Sequence, residues 1–222
     1  MQIATNTEII EFEDQTLRIR KPTHPPSESR VLLLIHGFTG DENSMWVFTR
    51  DLPSDYWMVA PRAPDAAESG GYSWRPNQTS DMGRPSFEEL RPSAETLIRL
   101  IEAYQASAGF DAGQSLDVMG FSQGAAISSV LAFLYPDRIR KLAILAGFVP
   151  SGLEDLVVRR PLEGKPIFVA HGTKDETVPI DRARASVEIL EQAGARVTYC
   201  EDEVGHKVSL TCLHALRKFL AD

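Results

Sequence analysis

Two kinds of apolar pattern alternate along the chain. Residues 31–35 form an unbroken apolar run that stops at His36-Gly37, the signature of a strand buried on both faces. Shorter runs at 57–60, 116–120, 142–145, 167–170 and 197–200 repeat that signal. Between them the spacing becomes helical. After Pro92, the positions Ala94, Leu97, Ile98, Ile101 and Tyr104 share one face, with Pro92 expected in the first turn and Gly109 placed to end the helix. Further helices are expected over 122–135, 182–192 and 209–220, with a short one over 44–52. Two β-leaning runs, 7–13 and 15–20, meet near Asp14 as a hairpin, and the Pro, Gly and Ser content of 61–85 marks a long irregular excursion.

Strand and helix alternating in this way implies right-handed crossovers and an α/β fold, with a mainly parallel sheet and helices on both faces. Reactive side chains are then expected at the carboxyl ends of the strands. A chain of 222 residues without internal repeats reads as a single domain, 1–222.

Composition narrows the partners. A net charge of -8 with no dense Lys/Arg cluster argues against nucleic acid and anionic membrane surfaces. Residues 1–13 lack a basic segment followed by an apolar run, and no stretch approaches the roughly 20 apolar residues of a membrane span. The expected location is cytoplasmic. Cys200 and Cys212 read as buried free thiols in a reducing compartment. The five histidines show no metal-ligand spacing, so neither a metal nor another cofactor is expected. Homodimerisation is compatible with the sequence, although no heptad pattern specifies it.

The chemistry gathers around Gly120-Phe121-Ser122-Gln123-Gly124. This Gly-x-Ser-x-Gly follows an apolar strand and opens a helix, the setting of a nucleophile elbow, whose flanking glycines leave room for chains that cross closely. A serine capping a helix would explain Ser122 alone, but not both glycines or the downstream partners. A serine hydroxyl needs a base, and His206, in the loop before the last helix, stands at the strand-end rim. His214 falls within the helix, while His24, His36 and His171 suit structural hydrogen bonding. The base needs an orienting acid; Asp175, after the strand 167–170, fits, with Glu176 adjacent as the alternative. The order Ser122, Asp175, His206 is that of the α/β-hydrolase fold. Backbone N–H groups of Gln123 and Phe38 are the expected oxyanion donors.

The chain resembles the phospholipase/carboxylesterase group of α/β-hydrolases, which includes acyl-protein thioesterases and bacterial carboxylesterases. The matching pieces are His36-Gly37-Phe38-Thr39-Gly40, Ala60-Pro61-Arg62-Ala63-Pro64, Gly71-Tyr72-Ser73-Trp74, the elbow, His171-Gly172-Thr173-Lys174-Asp175 with Val178-Pro179, and Gly205-His206. The resemblance implies catalytic Ser122, Asp175 and His206, oxyanion donors at Phe38 and Gln123, and a cofactor-free hydrolase. Glu176 stands where the group often has proline, and 77–85 matches no particular subgroup. The chain also lacks room for a large cap domain.

These readings lead to a serine carboxylesterase acting on small or medium acyl esters, with an acyl thioesterase or lysophospholipase as the nearest alternative. Phe38, Trp74, Phe148, Val149 and Val178 are expected to line an apolar pocket, because bulky side chains adjoin several strand-end loops. A ligand-binding protein on the same fold without catalysis is the reading from a different class. A protein-interaction module would need a broad apolar surface or a charged tail, and the sequence shows neither.

Overall fold

The computed structural model describes residues 7–76 and 84–222. The strand β3 (Arg30–Ile35) is buried on both faces, with Val31 through Ile35 each no more than 1% exposed. Its side chains divide by parity, as a period of two requires. Val31, Leu33 and Ile35 point into one apolar layer, and Leu32 and Leu34 into the other. Around β3 lie β1 (Glu8–Phe12), β2 (Gln15–Arg20), β4 (Tyr56–Pro61), β7 (Leu116–Phe121), β8 (Ile139–Leu145), β9 (Pro166–Gly172) and β10 (Arg196–Asp202). They form an eight-stranded sheet in the order β1-β2-β4-β3-β7-β8-β9-β10. Only β1 with β2 and β2 with β4 pair antiparallel; every other neighbour is parallel.

Helices α1 (Phe87–Ser107), α2 (Gln123–Leu134) and α4 (Ile180–Gln192) contribute to the layer of Leu33, and α5 (Leu210–Ala221) to that of Leu32. The short α3 (Glu154–Val157) lies in the segment between β8 and β9. This is the α/β architecture expected from the alternation of elements, with the sheet sandwiched between helices and, among the described residues, no large cap.

Several local expectations change. The first long helix starts at Phe87, so Pro92 lies within it instead of in its first turn. Ser86 and Glu89 form a reciprocal capping box there, leaving the helix a buried face from Phe87 to Tyr104. The short helix expected over 44–52 is a 3-10 turn spanning Ser44–Phe48. The excursion over 61–85 contains a two-stranded ribbon of β5 (Asp65–Ala66) and β6 (Tyr72–Ser73), and the part at 77–83 is outside the described residues. Cys200 and Cys212 are not free thiols but a disulfide, with Cα atoms 5.7 Å apart. The crossover from β10 to α5 folds back on itself and brings the two positions side by side, so the expectation of a reducing compartment loses the support it drew from free thiols.

Candidate active site

The carboxyl ends of β3, β7, β9 and β10 converge on one rim of the sheet. At the end of β7 the chain turns sharply into α2, and Ser122 carries the turn at φ 54°, ψ -115°. That conformation is costly for a residue with a Cβ and is characteristic of functional turns. The flanking glycines make it possible: a Cβ added to Gly120 would lie 2.3 Å from the Gly124 carbonyl oxygen, and one added to Gly124 would lie 2.2 Å from that of Ile35. The serine hydroxyl caps no helical N–H. It lies instead 2.9 Å from His206 Nε2.

His206 sits in the loop between β10 and α5, and its Nδ1 lies 2.7 Å from Asp175 Oδ2. Asp175 is on the loop after β9, its side chain fully buried. Its Oδ1 accepts the N–H groups of Thr177 and Val178, each at 2.9 Å, which fixes the carboxylate plane. Oδ2 is left to accept Nδ1–H, so Nε2 faces Ser122 with a lone pair. The two loops are also joined to each other, Thr173 N–H donating to Asp202 O and Lys174 N–H to Val204 O. Glu176 is exposed, whereas Asp175 is 6% exposed.

The other histidines take separate places. His171 is buried beside the acid, with Nε2–H donating to Val178 O at 2.8 Å and standing 3.3 Å from Asp175 Oδ2. Burial holds its imidazole below the ordinary range, and does the same for His36. His36 donates from Nδ1 to Gly37 O and accepts Ala63 N–H at Nε2. His214 and His24 are exposed.

Phe38 follows β3 on the loop facing the elbow, and Gln123 opens α2. Among the described residues, neither backbone N–H has a partner within the protein. A cleft of about 410 Å³ opens beside Ser122 and His206, walled by Phe38, Met45, Val47, Phe48 and Phe121. Phe121 stacks on Phe48 and also meets the His206 ring, with centroids 5.7 and 5.1 Å apart. Of the residues expected to line the pocket, Phe38 borders this cleft. Trp74, Phe148, Val149 and Val178 do not; each is at most 7% exposed and belongs to the core layer of Leu33. Val47, 57% exposed, and Phe48 were not foreseen, and an apolar pair in a short helical turn just past the loop 36–40 was the signal for them. No group of three or more His, Cys, Asp or Glu side chains is gathered as potential metal ligands among the described residues. Nor is any described helix long and apolar enough to cross a membrane.

A family model described as Phospholipase/Carboxylesterase matches residues 15–222. Acyl-protein thioesterase 1 of Debaryomyces hansenii is 28% identical over 193 residues, covering 78% of this chain and 80% of its own. Carboxylesterase SOBER1 of Arabidopsis thaliana is 28% identical over 174 residues, covering 75% and 72%. Among solved structures, the carboxylesterase of Mesorhizobium loti superposes with a TM-score of 0.79 at 23% identity, over 97% of this chain and 99% of its own. That of Bacillus cereus gives 0.80 at 22% identity, over 94% of each. The chain belongs to the phospholipase/carboxylesterase family of α/β-hydrolases.

Proposed function

We propose that this protein is a serine carboxylesterase that hydrolyses small or medium acyl esters through an acyl-enzyme on Ser122. The observation that carries the reading is the relay from Ser122 Oγ to His206 Nε2 to Asp175 Oδ2, at 2.9 and 2.7 Å. In acylation, Ser122 Oγ attacks the carbonyl carbon while His206 Nε2 takes its proton, and Asp175 steadies the imidazolium. The carbonyl oxygen becomes an oxyanion held by the N–H groups of Phe38 and Gln123. Collapse of the adduct expels the alkoxide, which receives the proton from His206. Water, deprotonated by the same imidazole, then attacks the acyl-enzyme, and Ser122 is regenerated with release of the acid. No metal or cofactor takes part in this scheme.

One arm of the substrate lies in the cleft walled by Phe38, Val47 and Phe48, whose apolar surface suits hydrocarbon better than a charged group. Thioester hydrolysis by the same steps is the second reading, favoured by the likeness to acyl-protein thioesterase 1 of Debaryomyces hansenii. Turnover of p-nitrophenyl esters of graded length, beside acyl thioesters of equal length, tests both. Activity should vanish in Ser122→Ala, and Phe48→Ala should shift the preferred length of the chain. Turnover that survives Ser122→Ala would refute the mechanism, and an unchanged length profile in Phe48→Ala would remove the cleft from it.

A further inference from the structure

The two oxyanion donors come from separate elements, Phe38 from the loop after β3 and Gln123 from the first turn of α2. The disulfide among the described residues joins Cys200 to Cys212 and does not set their spacing, yet electrostatic stabilisation of an oxyanion depends on donors placed before the reaction begins. The residues that hold Phe38 are on the β6 segment. Thr39 N–H donates to Tyr72 O and Tyr72 N–H to Gly40 O, each at 2.9 Å. On the other side of Phe38, the Trp74 indole N–H donates to His36 O at 2.8 Å. The approach is close: a Cβ on Gly71 would lie 2.0 Å from Thr39 O. Phe38 is thus gripped by 71–74 on both sides.

The same segment is tied to the elbow by one side chain. Gln123 Oε1 accepts Trp74 N–H at 3.0 Å, and Gln123 Nε2–H donates to Ser73 Oγ at 3.3 Å. Ser73 Oγ in turn donates to Arg75 O and accepts Arg75 N–H, so its hydrogen-bonding capacity is fully used. The orientation of the carboxamide follows from these partners, since Trp74 N–H needs an acceptor. Ser93 Oγ–H, on α1, holds the Trp74 carbonyl from behind.

We propose that the Gln123 carboxamide and the Trp74 indole are positioning residues that set the separation of the two oxyanion donors. Gln123 supplies one donor from its backbone and, through its side chain, clamps the segment that holds the other. This gives Trp74 a role without placing it in the substrate cleft. The inference rests on the proposed hydrolysis and adds to it a cause for the shape of the oxyanion site.

Gln123→Met keeps the backbone N–H and nearly the same length but removes both side-chain bonds, and Trp74→Phe removes the indole donor and some ring volume while keeping an aromatic ring in the core. In each, kcat for p-nitrophenyl butyrate should fall about 10- to 100-fold, less than loss of a whole donor, while KM changes less than about threefold. The inhibition constant of a boronic acid, whose adduct with Ser122 is tetrahedral and anionic, should rise in parallel. The double variant should lose less than the product of the single losses, because both act through one bracket. Thermal unfolding and circular dichroism select folded variants, and should one fail to fold the other still decides. A folded variant with kcat within about twofold of wild type, or with its loss confined to KM, would overturn the inference. Wild-type protein that turns over no ester would instead defeat the proposed hydrolysis, and the bracket with it.

Discussion

Asp175 and Glu176 are neighbours in sequence with opposite surroundings. Asp175 is buried, accepts two backbone N–H groups and meets His206, while Glu176 lies in solvent. Asp175→Asn should therefore lower kcat by about four orders of magnitude through loss of the correct imidazole tautomer, and Glu176→Gln should leave it within about twofold. Steady-state kinetics of both variants checks this; equal effects would contradict the assignment. The juxtaposition of Ser122, His206 and Asp175 was legible because each follows a strand run and precedes a recognisable turn. The cleft was not, because a bulky residue near a strand end can turn either way. Trp74 turns inward, where its indole N–H finds the His36 carbonyl. A second consequence at this scale concerns acid. His36 and His171 are held neutral by burial, their folded pKa values lowered. Below the unfolded value of about 6.5 the unfolded chain binds protons that the folded chain refuses, so stability rises with pH in this window and falls as pH drops through it. Glu42 and Asp55, held below the usual carboxylate range by hydrogen bonds from Arg62 and Arg30, lose their stabilising contribution only at lower pH, nearer 4, below about 5. Buried Asp117, its pKa raised by desolvation, contributes with the opposite sign, so the histidine contribution is read as the difference in urea midpoint between wild type and His36→Gln or His171→Gln. That difference should decline between about pH 7 and 5, and a flat difference would contradict the reading.

Elements were legible where one signal dominated. The buried strands announced themselves as apolar runs, and β3 was read to within one residue of its observed start. The start of α1 was misread because proline favours a first helical turn, which drew the boundary to Pro92 when Ser86-x-x-Glu89 already marked it. An interior proline typically costs about 3 kcal/mol, and α1 tolerates it because Pro92 is exposed while Leu90, Ala94 and Leu97 are buried on either side. The disulfide was invisible for another reason: pairing 200 with 212 requires knowing that α5 packs back on the sheet beside β10. That bond closes the segment carrying His206. Reduction should lower the unfolding free energy by about 3 kcal/mol, the value for a loop of this size, measured by denaturant titration with and without dithiothreitol. Identical midpoints would show that the bond adds nothing.

At the scale of the molecule, alternating strand and helix already implied a parallel sheet, and parallel sheets collect chemistry at their carboxyl edges. That rule brings together residues 122, 175 and 206, although they are far apart in the chain. What pattern could not provide was the second tier around them: the bracket of 71–74, the packing of Phe121 on His206, and the choice of Val47 and Phe48 as a wall. These arise where loops from different strands meet, and periodicity within a segment carries no information about such meetings. The central claim, that Ser122 is the activated nucleophile of a hydrolase, is tested most directly by labelling the folded protein with a fluorophosphonate and locating the adduct by peptide mass spectrometry. Stoichiometric modification at Ser122, abolished in His206→Ala and after thermal unfolding, is the result this account predicts. Labelling elsewhere, or none while the protein is folded, would contradict it.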